Sequence, residues 1–207
     1  MIQNVFALVK KDLRNIILRY FILRSTNLSD YILIQLSHLK DYLPSNDQKK
    51  IIEIGEIIEK SVPLSNSNKG IVCFASDIPN KNFEFILKVL KKINSPELVT
   101  IINPKEKIKD FKCVTTTNNE ETMEVLSQNE IYFHASEFET VGLPLYEAQD
   151  LGLKVVAPNN PYTQYFDKDS TFLYKSNDAL DAVQTIELAS STKTKNIMAL
   201  DLSLIHI

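Results

Sequence analysis

The sequence is short of the residues that bend backbones freely, staple small scaffolds or hold metals. Its 207 residues include four glycines, two cysteines, three arginines and no tryptophan. Four glycines is roughly a third of average usage for this length, so the placement of each is informative. Cys73 and Cys113 stand forty residues apart in apolar or β-prone runs, which excludes a dense disulfide framework and a cysteine-based metal site. Both are expected to be buried free thiols in a reducing compartment. Charge of one sign is also lacking: 23 basic against 26 acidic residues leave a net charge of -3. That removes the basic excess expected of a nucleic-acid partner. Apolar stretches are broken by charges within about ten residues, too short to span a bilayer, and no small-residue cleavage site follows one. The expected location is cytoplasmic, with at most a peripheral contact at the inner face of a membrane.

What is present is a regular alternation of patterns. Residues 5–24 place Val5, Leu8, Val9, Leu13, Ile16, Ile17, Tyr20 and Leu23 at helical spacing, with all three arginines, Arg14, Arg19 and Arg24, among them. Two readings fit this basic amphipathic helix: packing on a sheet with a solvated face, or contact with anionic lipid. A strand is expected at Tyr31 to Ile34, a helix capped by Ser37 with His38 on its surface, and a strand at Ile51 to Ile54. The Ser/Asn/Pro cluster at 61–69 reads as a linker. Beyond it come a strand at 70–76, a helix at 79–93, strands at 97–103 and 112–116, and a helix at Asn119 to Ser127. Next are a strand at 131–136, a helix from Leu143 to Leu151 ended by Gly152, strands at 154–158 and 171–174, and a helix from Asp178 to Leu188. Strands alternating with helices pair in parallel through crossovers, so the fold class is α/β, a doubly wound parallel sheet.

Ligands of such sheets sit beyond the carboxyl ends of the strands, where strand order reverses. The loops to consider are 76–81, 103–110, 117–119, 136–143 and 158–163. One carries a distinctive constellation: Glu139, then Gly142-Leu143-Pro144-Leu145 opening a helix, then Glu147-Ala148. Pro144 suits a first helical turn, and Gly142 lets a ligand approach the backbone. Backbone N–H groups and the dipole at this helix start attract a phosphate or diphosphate, while Glu147, one turn in, is placed to accept hydrogen bonds from a ribose. Elsewhere, His134 is expected to be a satisfied core or rim histidine. Asp167-Lys168-Asp169 is expected to be turn chemistry rather than a metal pair. Asn159-Asn160-Pro161-Tyr162 fits either a pocket wall or a simple turn.

Glu139 and Glu147 with seven residues between them, the Gly142-Leu143-Pro144 turn, Ala148 and the strand KVVAP resemble the Glu-x7-Glu segment of retaining glycosyltransferases of the GT-B fold, family 4. GIVCFASDIPNKNFEFILKVLKKI resembles the donor-phosphate loop of that family, and SDYILIQLSHLKDYL with KKIIEI resembles the last strand-helix unit of its N-terminal domain. The resemblance covers roughly residues 28–190. It implies that 1–64 are a remnant of an acceptor-side domain with its linker and 65–207 a Rossmann-like domain binding a nucleotide-sugar donor. By the same resemblance Glu147 holds the ribose and Glu139 contacts the donor sugar. Gly142, Leu143, Pro144 and Leu145 hold diphosphate and sugar hydroxyls, and Lys81 neutralises charge on the leaving phosphate. No metal or other cofactor is implied. The implied reaction moves a hexose to a glycan or lipid-linked glycan acceptor with retention.

Two departures from that pattern stand out. Ala75-Ser76 occupies the place where the family usually has Gly-Arg, so Ser76 takes the position of a phosphate-binding cation. The chain reads as an incomplete enzyme whose tail from Leu202 breaks the helical pattern. The alternative is a non-catalytic nucleotide-binding or scaffold module of the same descent.

Overall fold

The structure, a computed structural model, describes residues 20, 23–26, 28–34, 37–43, 45, 50–53 and 70–192. Most of the basic helix expected at 5–24, the linker expected at 61–69, the boundary at 64/65 and the tail from Leu202 lie outside the described residues.

The first portion pairs two short parallel strands, β1 (Ile32–Ile34) and β2 (Ile51–Glu53), with Ile32 opposite Ile51. Ile32, Ile34, Leu39 and Leu43 form their own small apolar cluster. The helix expected after Ser37 is a 3-10 helix, Ser37–Tyr42, in place of an α-helix. Pro44, two residues on, cannot continue an α-helix and leaves too few residues to establish one.

The second portion is a six-stranded parallel sheet in the order β5-β4-β3-β6-β7-β8, built from β3 (Ile71–Phe74), β4 (Val99–Ile102), β5 (Lys112–Val114), β6 (Ile131–Phe133), β7 (Lys154–Pro158) and β8 (Thr171–Tyr174). Every pairing is parallel. The central strands, IVCF, VTII, IYF and KVVAP, are almost wholly buried because both faces of the sheet are covered. One face carries α1 (Phe83–Leu90) and α4 (Ala179–Ser191), packed on Ile71, Cys73, Ile101 and Phe133. The other carries α2 (Asn119–Ser127) and α3 (Leu143–Asp150), packed on Val72, Ile102, Tyr132 and Val155. The expected doubly wound α/β class is what the structure shows.

Details differ where backbone chemistry intervenes. The helix expected over 79–93 is divided: Pro79–Lys81 is a 3-10 turn, Asn82 takes a left-handed conformation at φ 54°, and α1 begins only at Phe83. Asparagine tolerates this region, and the break resets the helical phase. Phe85, Ile86, Val89 and Leu90 are therefore buried, with Phe83, Leu87 and Ile93 only partly so. The strand expected over 131–136 pairs regularly only to Phe133, after which the His134 N–H donates to the Val156 carbonyl at 2.8 Å. Helix α3 ends with Gly152 at φ 81°, its N–H turned to the Gln149 carbonyl at 2.9 Å, a C-terminal role glycine fills without Cβ strain. Cys73 is a buried free thiol as expected, whereas Cys113, also free, is only partly buried.

Candidate functional site

Strand order decides where a ligand can sit. From β3 the chain crosses by α1 to β4 on one side, and from β6 it crosses by α3 to β7 on the other, so order reverses between the neighbours β3 and β6. The crevice beyond their carboxyl ends is the switch point of the sheet. Of the five loops singled out in the sequence, the two that flank it are those following β3 and β6.

The two loops are laced together. The Glu137 N–H donates to the Asn80 carbonyl at 2.7 Å, and the Asn80 side-chain amide donates to the Phe138 carbonyl at 2.9 Å. This brings Lys81 and Glu139, 58 residues apart in sequence, into an ion pair. Lys81 keeps 30% of its side chain exposed and Glu139 only 10%. Ser76 does not reach this pair through any hydrogen bond: its Oγ accepts from the Ile78 N–H at 3.2 Å, closing a local turn at the start of the loop.

Gly142 is the N-cap of α3 at φ 80°, and a Cβ there would lie 2.8 Å from Leu145 Cδ1 and 3.2 Å from Phe166 Cζ. Both backbone conformation and space demand glycine. Pro144 stands in the first turn, Leu145 is buried and Leu143 is 51% exposed beside the crevice. The Leu145 N–H turns back on the Gly142 carbonyl at 2.8 Å, and Pro144 has no N–H. The helix start thus offers two fewer donors than an ordinary first turn. Glu147 follows one turn on; among the described residues its side chain makes no hydrogen bond or ion pair, and burial pushes its carboxyl above the ordinary value.

A chain of buried polar groups runs inward from Glu139. His134 Nε2 lies 3.5 Å from Glu139 Oε1, and His134 Nδ1 is 3.0 Å from the Tyr132 hydroxyl. Burial lowers the readiness of His134 to take a proton, partly offset by Glu139. Burial alone would raise the Glu139 carboxyl, but His134 and Lys81 outweigh it and hold the group well below the usual carboxylate range, at about 2. The Tyr132 phenol is pushed well up by burial, and both Glu139 and Glu147 add to the rise. Tyr132 is where the influence of the two carboxylates meets.

The wall of the crevice is completed from β7. Asn160 caps the 3-10 helix Pro161–Tyr165 reciprocally with Thr163, and its side-chain amide donates to the Glu137 carbonyl at 3.1 Å. The Tyr162 hydroxyl donates to the Ser136 carbonyl at 2.6 Å. This segment is therefore both the turn and the pocket wall that its sequence left open. A cavity of about 270 Å³ lies against it, lined by Asn82, Ser136, Glu137, Asn160, Ser176 and Asn177. A smaller one of about 60 Å³ lies among Glu139, Tyr162 and Tyr42. Asp167 accepts from the Ser170 N–H at 3.1 Å and the Ser170 hydroxyl at 2.7 Å, the turn chemistry expected of that stretch. No group of three metal-type ligands occurs among the described residues.

The structure thus brings Lys81 and Glu139 together, sets Gly142, Leu143, Pro144 and Leu145 at one helix start with Glu147 one turn beyond, and leaves Ser76 in its own loop. Among the described residues His134, expected to be a satisfied core or rim histidine, is buried with its Nδ1 bonded to Tyr132, while its Nε2, 3.5 Å from Glu139 Oε1, and Ser136 Oγ make no hydrogen bond. The one sequence signal for His134 was its alternation with Tyr132 on a central strand.

Solved structures share this architecture. TarM aligns with a TM-score of 0.68 at 16% identity, covering 88% of this chain and 41% of that one. An S. aureus TarM variant in complex with fondaparinux, α-GlcNAc-glycerol and UDP aligns with a TM-score of 0.68 at 17% identity, covering 84% and 39%. The pneumococcal O-GlcNAc transferase GtfA, in complex with UDP and GlcNAc, aligns with a TM-score of 0.60 at 18% identity, covering 83% and 38%. The chain spans about two fifths of the length of these proteins. Comparison with curated proteins gives no match. The family model for glycosyl transferases group 1 matches residues 56–199, which takes in both switch-point loops and the whole six-stranded sheet. The chain belongs to the glycosyl transferases group 1 family, on the GT-B fold.

Proposed function

We propose that this chain is the donor-binding half of a retaining, family 4 hexosyltransferase, with residues 1–64 a remnant of the acceptor-side domain and 65–207 the nucleotide-sugar domain. The observation that carries the reading is the meeting of Lys81 with Glu139 at the switch point, beside the start of α3 and the unpartnered Glu147 carboxylate.

In this reading the diphosphate lies across the α3 start, against the Gly142 and Leu143 backbone, and draws the exposed Lys81 ammonium to itself. The ribose hydroxyls donate to Glu147. Glu139, already ionised, accepts from hydroxyls of the donor sugar. As the bond between the anomeric carbon and the phosphate oxygen breaks, negative charge grows on the diphosphate, where Lys81 and the helix dipole are aimed. The acceptor hydroxyl attacks on the face the leaving group departs from, forming the new bond to the anomeric carbon while its proton passes to the departing phosphate oxygen, which preserves configuration. No metal enters this scheme. The acceptor is a glycan or lipid-linked glycan, met from a cytoplasmic or peripheral position at the membrane. UDP is the first nucleotide to test, because the TarM and GtfA complexes contain it.

A second reading, a nucleotide-binding scaffold without turnover, is favoured by Ser76, whose hydroxyl serves a local turn where the family pattern carries a cation. Titration calorimetry with UDP, GDP and ADP, repeated on Glu147→Ala, tests the site. Binding of one nucleotide, weakened by about 1–3 kcal/mol in the variant, is expected for lost hydrogen bonds to a charged group. Equal binding by both proteins, or none, removes the donor role of this site.

A further inference from the structure

Beside the crevice, on the sheet face that carries α1 and α4, lies the cavity of about 270 Å³, which the reaction proposed above leaves unused. Its walls come from the start of α1, the ends of β6 and β7, and the turn between β8 and α4. No residue assigned to the donor lines it. Glu137, Phe138 and Asn160 line both this cavity and the smaller one that Glu139 borders, so they stand between the two. Asn160 fixes that partition by donating to the Glu137 carbonyl at 3.1 Å.

The chemistry of the walls decides what fits. Glu137 is the sole carboxylate among the described residues around the cavity, and no lysine, arginine or histidine is among them, so an anion meets no counter-charge. The other polar groups are amides and hydroxyls. Ser136, 1% exposed, has an Oγ that makes no hydrogen bond among the described residues, which puts an unused donor and acceptor at the cavity floor. On the exposed side Asn82 Nδ2 donates to Asn177 Oδ1 at 3.0 Å, leaving Asn82 Oδ1 as an acceptor and Asn177 Nδ2 as a donor. Ser176 Oγ donates to Asn160 Oδ1 at 2.8 Å and keeps its lone pairs for an incoming donor. Donors and acceptors set around one space suit neighbouring hydroxyls, each of which gives one proton and accepts another. A nucleobase instead needs an open aromatic face, but Phe85 and Tyr174 stack on each other with centroids 5.9 Å apart and are 7% and 1% exposed. Phe138 and Pro158 add apolar surface for ring C–H groups. The volume lies near the lower end of small-molecule sites, about 300 Å³, a size for a single ring.

We infer that this cavity is a second ligand site, separate from the donor crevice, which holds one neutral pyranose ring through hydroxyl hydrogen bonds to Ser136, Asn82, Asn177 and Ser176. The ring comes either from a free sugar or from one residue of a glycan.

Nuclear magnetic resonance titration of the full 207-residue chain with methyl α-glucopyranoside tests it. Shifts are expected together at the side-chain amides of Asn82, Asn160 and Asn177 and at the backbone N–H groups of 136–138, with a Kd of about 1–10 mM for so few neutral contacts. Ser136→Ala removes only a hydroxyl that makes no hydrogen bond, so its melting midpoint should not fall. Asn177→Gly removes the amide and keeps a backbone that tolerates φ 62°. Each variant is expected to weaken the sugar about 3–10-fold, the range of one neutral hydrogen bond, with UDP affinity unchanged. Glucuronate, which adds a negative charge to the same ring, should not shift these signals. Maltotriose binding more tightly than the monosaccharide assigns the site to a residue within a glycan, and equal binding assigns it to a free sugar; both uphold the site. No shift at several times the expected Kd, shifts confined to the α3 start, or equal binding by parent and variants overturns it. A variant that fails to fold leaves the shift map of the parent and the other variant to decide. None of the sugar titrations needs a nucleotide, so failure of UDP, GDP and ADP to bind is distinct from failure of this second site.

Discussion

Lys81 and Glu139 come from different loops, 58 residues apart, and form an ion pair at the point where strand order reverses. In the donor complex proposed above, the Lys81 ammonium turns from Glu139 to the diphosphate. Replacing Lys81 by methionine is expected to weaken UDP binding about 10–100-fold, the range of a charged hydrogen bond worth about 1.5–3 kcal/mol. Calorimetry on the purified variant, with its fold checked by circular dichroism, measures this.

The Glu139 carboxyl, held at about 2 in the folded chain, makes a contribution to stability whose sign is fixed. A carboxyl whose folded value is depressed stabilises the fold above its unfolded value of about 4.3, and that contribution declines as pH falls toward the folded value. Glu139→Gln should therefore unfold more readily than the parent at pH 6, with the gap narrowing below about pH 4. Denaturant melts of both proteins across that range check it.

Glu147 behaves in the opposite sense because burial raises it. Its protonated form is favoured in the folded chain, so the stability it contributes is present at low pH and lost as pH rises through the raised value. For ligand binding the ionised form is the acceptor. UDP affinity should fall on acidification at a pH above the ordinary glutamate value of about 4.3, and Glu147→Gln should bind weakly with a flatter profile. Titrations at several pH values separate the two proteins.

Gly142→Ala places a Cβ at φ 80°, 2.8 Å from Leu145 Cδ1. The conformation alone costs about 1–2 kcal/mol, and the clash shifts the first turn of α3. A lower melting midpoint and weaker UDP binding are expected together, since the same backbone caps the helix and faces the diphosphate.

Lys154 gives a prediction remote from the site. It is 2% exposed, with Nζ bonded to Glu130 Oε1 at 2.7 Å and to the Ala189 and Thr192 carbonyls at 2.8 and 2.5 Å. It thereby caps the end of α4 and joins it to the sheet. Lys154→Ala removes the donor shared by those three acceptors and should lower unfolding stability by about 1–3 kcal/mol, read from urea melts, with UDP affinity unchanged.

The local elements were legible because their causes are local. KVVAP and TFLY match β7 and β8 to the residue, and Asn118 caps α2 through the Glu121 N–H at 2.9 Å. Boundaries failed where one residue changed the backbone, as at Asn82 with φ 54°, which divides a helix that periodicity alone runs straight through. The segment from Ser37 likewise forms a 3-10 helix where an α-helix was expected.

The site divides along the same line. The spacing of Glu139 and Glu147 about Gly142 and Pro144 is a property of one continuous segment, and short-range rules for helix starts suffice to read it. That β3 lies beside β6, so that Lys81 meets Glu139, follows from crossovers on opposite sides of the sheet, which no local pattern encodes. His134 is a clearer case still. Alternation placed it on a strand beside Tyr132, but its approach to Glu139, at 3.5 Å, is set by the folded loop that follows β6. Residue types and their short-range order set which chemistry was available; the pairing of distant strands decided which of those groups stand close enough to act on one another.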